Sequence, residues 1–142
     1  MIYKVMNRNH CEKYCTRDHL ETSVIISIKS SWDCDAIVYS SEMNGVKDIL
    51  RLAFNDLEYE KSSEYCIQKS DGEQIAEFVN KWFNKVDILI IHCDGGISRS
   101  AGVMQGILKA KLNDDSLITN NHNKKPNKTC FNVTYNALIN NN

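Results

Sequence analysis

The chain has 142 residues, a length typical of one domain, and its 42% apolar and 25% charged residues fit a soluble globular fold. A formal net charge of −1 gives no general argument for a nucleic acid or an anionic membrane as partner. No apolar run approaches the ~20 residues that span a bilayer, and the N-terminus lacks a signal-peptide pattern. We therefore expect one cytoplasmic domain over residues 1–142, with its six cysteines reduced.

The N-terminal half predicts several strands separated by short connections. Alternating or continuous apolar residues with many β-branched side chains are typical of strands, and a continuous run indicates burial on both faces. A polar stretch with apolar residues at helical spacing predicts a short helix over 7–16. The predicted strands cover residues 2–6, 23–28, 35–39 and 48–54, and the last one leads into an acidic loop at 55–60.

The C-terminal half predicts helices around one further strand. Asp71 and Gln74 resemble a capping box, with Asp71 at the N-cap position of a helix. The apolar run at 86–92 predicts a strand, and an amphipathic segment from about Ser98 predicts the next helix. The apolar positions are Ile75, Phe78, Val79, Trp82 and Phe83 in the first helix, and Val103, Met104, Ile107, Leu108 and Leu112 in the second.

The order of these elements predicts the fold class. Residues 113–125 are polar and predict a loop, after which Pro126 can open a last helix. Strands that alternate with helices predict an α/β fold, a single layered domain whose mainly parallel central sheet of about four to five strands is flanked by helices. Ligands of such sheets bind beyond the carboxyl ends of the strands, which is where Cys93 falls.

The loop between the strand at 86–92 and the following helix carries the chemistry. Cys93 ends the strand, Arg99 begins the helix, and Gly95 and Gly96 between them let backbone amides approach a bound anion. The fixed charge of Arg99, the loop amides and the positive end of the helix all favour the thiolate form of Cys93. The same donors suit a phosphate group, so the predicted phosphate-binding residues are Asp94, Gly95, Gly96, Ile97, Ser98 and Arg99.

Two neighbours of Cys93 have predicted supporting roles. The hydroxyl of Ser100 is expected to hydrogen-bond the Cys93 sulfur and to ease its departure in a later step. His92 is expected to position Cys93 through backbone contacts rather than to act as a general base. We therefore predict Cys93, Arg99, Ser100 and His92 as catalytic residues.

The run His92-Cys93-Asp94-Gly95-Gly96-Ile97-Ser98-Arg99-Ser100 is similar to the HCxxGxxRS signature of the cysteine-dependent protein tyrosine phosphatase superfamily. The short chain most resembles the compact dual-specificity branch and its small tyrosine-phosphatase-like relatives, which also share a Pro-Asn pair like Pro126-Asn127 before a final helix. This resemblance implies hydrolysis of a phosphate monoester through a phosphocysteine intermediate, with no metal and no cofactor.

The resemblance also implies a carboxylic acid on a mobile loop upstream of Cys93. It protonates the leaving oxygen, and its carboxylate then activates water against the phosphocysteine. Asp56 matches this position best because it directly follows the strand that ends near Phe54. Glu58 is the first alternative, since the sequence lacks the Trp-Pro-Asp form of larger family members.

The substrate stays open at this stage. The first hypothesis is phosphotyrosine in proteins, with phosphoserine and phosphothreonine as further substrates. The alternatives are a nucleotide, an RNA end, an inositol phosphate or a small metabolite, a phosphoprotein-binding module with weak catalysis, and a sulfurtransferase or arsenate reductase. Asp94 inside the loop argues against polyphosphorylated inositides. No nucleic acid or membrane is expected as partner.

Three side-chain groups have simpler predicted roles. Cys11, Cys15 and His19 have helical spacing that could hold a metal, but core cysteines with a solvent-facing histidine are favoured. Cys66 is a candidate for a disulfide with Cys93 under oxidation. The lysines at 124, 125 and 128 are predicted to form a solvated patch.

Overall fold

The computed structural model describes residues 1–58 and 64–141, in which four parallel strands form one central sheet. In chain order the elements are β1 (Ile2–Asn7), α1 (Arg8–Cys15), β2 (Ser23–Lys29), β3 (Val46–Ala53), α2 (Lys69–Trp82), β4 (Ile88–Cys93), α3 (Arg99–Leu112), α4 (Ser116–Thr119) and α5 (Lys128–Asn140). Across the sheet the strands follow the order β1-β4-β2-β3. This arrangement confirms the predicted α/β fold with a parallel central sheet flanked by helices.

The two central strands, β2 and β4, are buried on both faces, as their nearly continuous apolar sequences predict. Alternate residues of β4 serve opposite faces of the sheet. Leu89 and Ile91 pack with α2, α3 and α5, whereas Ile88 and Ile90 pack with α1 and part of the segment between β2 and β3. Strand β4 is therefore packed on both faces, and Cys93 lies at its carboxyl end.

The predicted strand at 35–39 is wrong, because this segment is not part of the sheet. Ala36 and Val38 are buried and Ile37 and Tyr39 are exposed, so the alternation in the sequence is real. The carbonyl oxygens of Ala36 and Val38 accept hydrogen bonds from the guanidinium of Arg51, at 3.1 and 2.7 Å. A side chain thus satisfies the backbone that a neighbouring strand would otherwise pair.

Two predicted helix starts also differ from the structure. Helix α2 has Gln68 as its N-cap, and Asp71 lies at the third helical position, where its carboxylate accepts the Gln68 backbone N–H at 2.7 Å. Asp71 is therefore the returning partner of a capping box rather than the cap itself. The last helix is capped by Asn127 and begins at Lys128, so Pro126 precedes the cap instead of opening the helix.

The remaining predicted elements lie close to their expected places. The short helix predicted over 7–16 is α1, whose N-cap Asn7 accepts the backbone N–H of His10 at 2.7 Å. The region 113–125 is mostly loop, as predicted, but includes the single turn α4. The predicted acidic loop at 55–60 is described only to residue 58. No helix in the described part of the chain is long and apolar enough to cross a membrane.

Candidate active site

Cys93 lies at the carboxyl end of β4 with its sulfur buried at the centre of the loop that follows. Its Sγ accepts the backbone N–H of Gly96 at 3.3 Å and lies 3.0 Å from the Ser100 hydroxyl. Ser100 is therefore where the sequence predicts it, in the first turn of α3. Both contacts are of the kind that stabilise a negative charge on sulfur.

The turn around Cys93 requires glycine at position 96. Gly96 has a φ of +66°, a region that favours glycine, and a Cβ there would lie 2.6 Å from the backbone nitrogen of Asn7. The loop thus packs closely against the end of β1, and in this conformation the Gly96 N–H donates to the Cys93 sulfur. Gly95 is exposed, and a Cβ there would make only an ordinary van der Waals contact, with the nearest atom 3.9 Å away.

Arg99 is the first residue of α3 and is buried, with 7% of its surface exposed. Its Nη1 donates to the Ser30 hydroxyl at 3.0 Å and to the Phe54 carbonyl oxygen at 2.9 Å. Both partners directly follow the ends of neighbouring strands, β2 and β3. The guanidinium is therefore fixed from one side, which prepares its other nitrogens to bind an oxyanion.

The Nη2 of Arg99 faces the carboxylate of Asp94 at 3.4 Å, a long contact for an ion pair with hydrogen-bond geometry. The side chain of Asp94 is 44% exposed, so solvent screens this pair and its release costs little free energy. The carboxylate of Asp94 is thus the side-chain partner of Arg99 Nη2 in this structure.

The structure brings Asp56 to the same loop. Its Oδ1 accepts two hydrogen bonds, from the Ser98 hydroxyl and from the side-chain amide of Asn127, each at 2.8 Å. None of the hydrogen bonds among the described residues uses the second carboxylate oxygen, which leaves Oδ2 available to exchange a proton. The residue itself is exposed, as a group that meets a substrate must be.

Glu58, the alternative acid, is placed differently. Its backbone carbonyl accepts the Thr129 hydroxyl at 2.7 Å, which ties this part of the loop to α5. Within the described residues its carboxylate takes part in no hydrogen bond or ion pair, whereas that of Asp56 is anchored to the loop itself. The contacts therefore hold the carboxylate of Asp56, and not that of Glu58, against the loop.

His92 is fully buried beside Cys93, and both of its ring nitrogens have partners. Its Nε2 lies 2.6 Å from the Ser27 hydroxyl, and its Nδ1 lies 3.4 Å from the Cys93 carbonyl oxygen. Burial lowers the pKa of His92 below its ordinary value, so the ring is neutral near pH 7. A neutral ring with a proton on Nδ1 donates to Cys93 O and accepts from Ser27, which suits a positioning role.

Sequence reasoning missed the functional contacts of three residues. The contact of Ser30 with Arg99 could have been expected only from its place after β2, because the carboxyl ends of parallel strands meet at one edge of a sheet. Asn127 carries a local signal as a Pro-Asn pair before a helix, but its hydrogen bonds to Asp56 and to the Leu57 carbonyl oxygen, at 3.0 Å, join distant segments. Lys124 was expected in a solvated patch, yet its Nζ donates to the Gly96 carbonyl oxygen at 2.6 Å.

The cysteines and histidines outside the loop form no further centre in the described residues. Cys11 and Cys15 are buried in the core beside β1, and the ring of His19 stacks on Tyr14 with centroids 3.8 Å apart. Cys66 and Cys93 are not joined by a disulfide in this structure. Residues 1–58 and 64–141 contain no group of three or more side chains arranged to hold a metal ion.

Comparison with known proteins bears on the fold. No protein-family model and no curated protein matches the sequence. Solved structures do match. Human DUSP28 superposes with a TM-score of 0.63 at 13% identity, covering 97% of this chain and 92% of that chain. The human tyrosine phosphatase-like serine/threonine/tyrosine-interacting protein superposes with a TM-score of 0.60 at 16% identity, covering 84% and 79%.

A third structure, PTPMT1 in complex with PI(5)P, has a TM-score of 0.56 and 16% identity, with 84% of this chain and 78% of that chain covered. These superpositions extend over most of both partners in every case. The chain therefore has the dual-specificity and tyrosine phosphatase-like fold, as its loop signature predicts.

Proposed function

We propose that this protein is a cysteine-dependent phosphatase that hydrolyses phosphate monoesters through a phosphocysteine intermediate. The observation that carries the proposal is the convergence of Cys93, Arg99 and Asp56 on one loop. The Cys93 sulfur accepts the Gly96 N–H and lies 3.0 Å from the Ser100 hydroxyl, the guanidinium of Arg99 is anchored by the Phe54 carbonyl oxygen, and Asp56 is tied to the loop through Ser98. A nucleophile, an oxyanion cradle and a proton donor thus meet at one strand end.

In the first step the Cys93 thiolate attacks phosphorus and forms the S–P bond, while the bond from phosphorus to the leaving oxygen breaks. Loop amides and Arg99 hold the phosphoryl oxygens, where charge is concentrated during the transfer. Asp56 donates a proton to the leaving oxygen from its unanchored carboxylate oxygen. The hydrogen bonds to its other oxygen keep the carboxyl group directed at the loop.

In the second step the Asp56 carboxylate takes a proton from water, and that water attacks phosphorus. The S–P bond breaks, phosphate is released, and the electron pair returns to the Cys93 sulfur. The Ser100 hydroxyl, 3.0 Å from this sulfur, stabilises the departing thiolate. His92 holds the Cys93 backbone throughout and exchanges no proton with the substrate.

For the substrate we propose phosphotyrosine in proteins, with phosphoserine and phosphothreonine as further substrates. Acidic groups at the loop, Asp94 and Asp56, would repel additional phosphates on a ligand. An exposed aromatic pair, Trp32 and Tyr65, with centroids 6.0 Å apart, lies beside the segments that anchor Arg99 and Asp56 and offers a surface for an aromatic or peptide group. The setting we propose is cytoplasmic.

A non-protein phosphate ester is the second candidate, because one structural neighbour is PTPMT1 in complex with PI(5)P. A panel of phosphotyrosine, phosphoserine and phosphothreonine peptides, nucleotides and PI(5)P, compared by kcat/KM for phosphate release, separates the two. The protein proposal expects phosphotyrosine peptides to lead. Higher kcat/KM for PI(5)P or a nucleotide would transfer the assignment to that class.

The chemistry itself is tested with p-nitrophenyl phosphate. Cys93→Ser should reduce turnover to the uncatalysed background, because the hydroxyl is a far weaker nucleophile at neutral pH. Cys34→Ser is the matched control, since this thiol is exposed and outside the loop, and it should leave turnover unchanged. Turnover of p-nitrophenyl phosphate by Cys93→Ser at the wild-type rate would contradict the mechanism.

A further inference from the structure

The half-buried side chain of Lys124 contacts the loop from outside. It belongs to the segment between α4 and α5, and its Nζ donates to the Gly96 carbonyl oxygen at 2.6 Å. The neighbouring Lys125 and Lys128 are exposed. The charged side chain of Lys124 therefore binds one backbone carbonyl of the loop from Cys93 to Arg99. The proposed roles of Cys93 and Asp56 do not account for this contact.

The geometry of the peptide unit gives the reason. A trans peptide is planar, so the carbonyl of one residue and the N–H of the next point in opposite directions. A cation on the Gly96 carbonyl therefore turns the Ile97 N–H away from Lys124. Since the N–H of Gly96 already donates to the Cys93 sulfur, the loop carries its carbonyl and amide groups on opposite sides at this point.

The neighbouring carbonyls of the loop are held in the same way. The backbone N–H of Lys125 donates to the Ile97 carbonyl at 3.0 Å, and that of Asn127 donates to the Ser98 carbonyl at 2.9 Å. At the start of the loop the Arg8 N–H donates to the Asp94 carbonyl at 3.2 Å. These three contacts come from backbone N–H groups, whereas Lys124 binds the Gly96 carbonyl through its side chain. The contact of Lys124 can therefore be removed by a substitution that leaves the backbone donors in place.

We propose that Lys124 is a positioning residue for the oxyanion cradle. Through the Gly96 carbonyl it holds the Ile97 N–H towards the site of a bound phosphoryl group, and its charge polarises that peptide so that the N–H is a better donor. This inference rests on the proposed function because it assigns the loop to a tetrahedral oxyanion. It adds a residue that touches neither the substrate nor Cys93.

The loop needs such an external constraint. Gly95 and Gly96 allow the close approach of amides to an anion, but glycine also has more accessible backbone conformations than any other residue. A rotated Gly96–Ile97 peptide would direct a carbonyl, rather than an N–H, at the bound oxyanion. The hydrogen bond from Lys124 opposes that rotation in the absence of ligand, so the cradle is organised before the phosphate arrives.

The test measures tungstate affinity by isothermal titration at fixed ionic strength, using the full chain. Lys124→Met should weaken binding about ten-fold, the lower end expected for loss of a charge-assisted hydrogen bond. Lys124→Arg, which keeps charge and donor, should stay within about three-fold of wild type. Lys128→Met removes the same charge from an exposed neighbour and should stay within about two-fold.

A second readout distinguishes positioning from general charge or folding effects. The amide resonance of Ile97 should shift on tungstate binding in the wild type and in Lys128→Met, and this shift should be lost in Lys124→Met at saturating tungstate. Equal affinities for Lys124→Met and Lys128→Met, or an unchanged Ile97 shift in Lys124→Met, would overturn the proposal. If Lys124→Met fails to fold, Lys124→Leu, which also lacks a donor, takes its place with the same expected losses.

Tungstate binding requires no turnover, so the two proposals can fail separately. A wild-type chain that binds tungstate with the Lys124 dependence above, but hydrolyses no phosphate ester, would refute the phosphatase and retain the positioning role. Equal rates of ester hydrolysis in the wild type and in Lys124→Met would retain the phosphatase and refute the positioning role. Absence of tungstate binding by the wild type would overturn both.

Discussion

Asn127 offers the sharpest test of how the acid is positioned. Its side-chain amide donates to Asp56 Oδ1 at 2.8 Å and to the Leu57 carbonyl at 3.0 Å, while its own Oδ1 caps α5 by accepting the Cys130 N–H at 2.9 Å. Asn127→Ser separates these functions. Serine is as good an N-cap as asparagine, but its shorter side chain has no amide to reach Asp56.

The magnitudes follow from the contacts that are lost. Asn127→Ser keeps the cap and leaves the Leu57 carbonyl without its partner, a loss of about 1–2 kcal/mol in the free energy of unfolding. Asn127→Ala also removes the cap and should cost about 1 kcal/mol more. Asp56 retains the Ser98 hydroxyl, so one of two hydrogen bonds to its carboxylate goes. A loss of about 1.4 kcal/mol in positioning corresponds to a ten-fold lower rate of leaving-group protonation.

The assay compares two substrates that differ in their need for an acid. Phenyl phosphate has a poor leaving group and depends on protonation by Asp56, whereas dinitrophenyl phosphate expels its leaving group with little assistance. In Asn127→Ser, kcat/KM, which reports formation of the phosphocysteine and not its hydrolysis, should fall about ten-fold with phenyl phosphate and little with dinitrophenyl phosphate. An equal fall in kcat/KM with both substrates would refute this role, because it would show that Asn127 stabilises the loop as a whole and does not position the acid.

Three further predictions concern the acid, the loop and the buried histidine. Asp56→Asn should lower kcat for phenyl phosphate by roughly 10²–10⁴, whereas Glu58→Gln should leave it unchanged; the opposite result would transfer the acid role. Gly96→Ala should lower the free energy of unfolding by about 1–3 kcal/mol through overpacking against β1. Gly95→Ala should lower it by less than about 1 kcal/mol, because the nearest atom to a Cβ there is 3.9 Å away. Equal shifts of the melting temperature in the two variants would contradict the close packing of Gly96 on β1. Burial lowers the pKa of His92 in the folded state, so the unfolded chain binds the extra proton first as pH falls. Stability should therefore decrease below the ordinary histidine pKa of about 6.5, and thermal melts of His92→Gln should show a smaller decrease over the same pH range.

The sequence predicts the centre of the site because the signals there are local. An apolar run ends directly before Cys93, and two glycines precede Arg99 at the start of a helix. These features fix a strand, a turn and a helix within a few residues of one another. The same local logic places Ser100 next to the sulfur, at 3.0 Å.

The contacts that organise the site could not be predicted in this way. Ser30, Lys124 and Asn127 approach the loop from distant parts of the chain, and no periodic pattern records which of several polar side chains will do so. The error at 35–39 has a related cause. Alternation reports which side chains are buried, but whether a backbone pairs with a strand or with Arg51 depends on tertiary structure.

The most direct test of the central claim is to identify the phosphorylated residue during turnover. The wild-type chain is mixed with an aryl phosphate, denatured within a fraction of the turnover time, and analysed by peptide mass spectrometry. The account predicts one phosphoryl group on Cys93, accumulating further in Asp56→Asn with dinitrophenyl phosphate because hydrolysis of the intermediate is slowed. Phosphate release with no phosphoryl group on Cys93, or with one on another residue, would contradict the account.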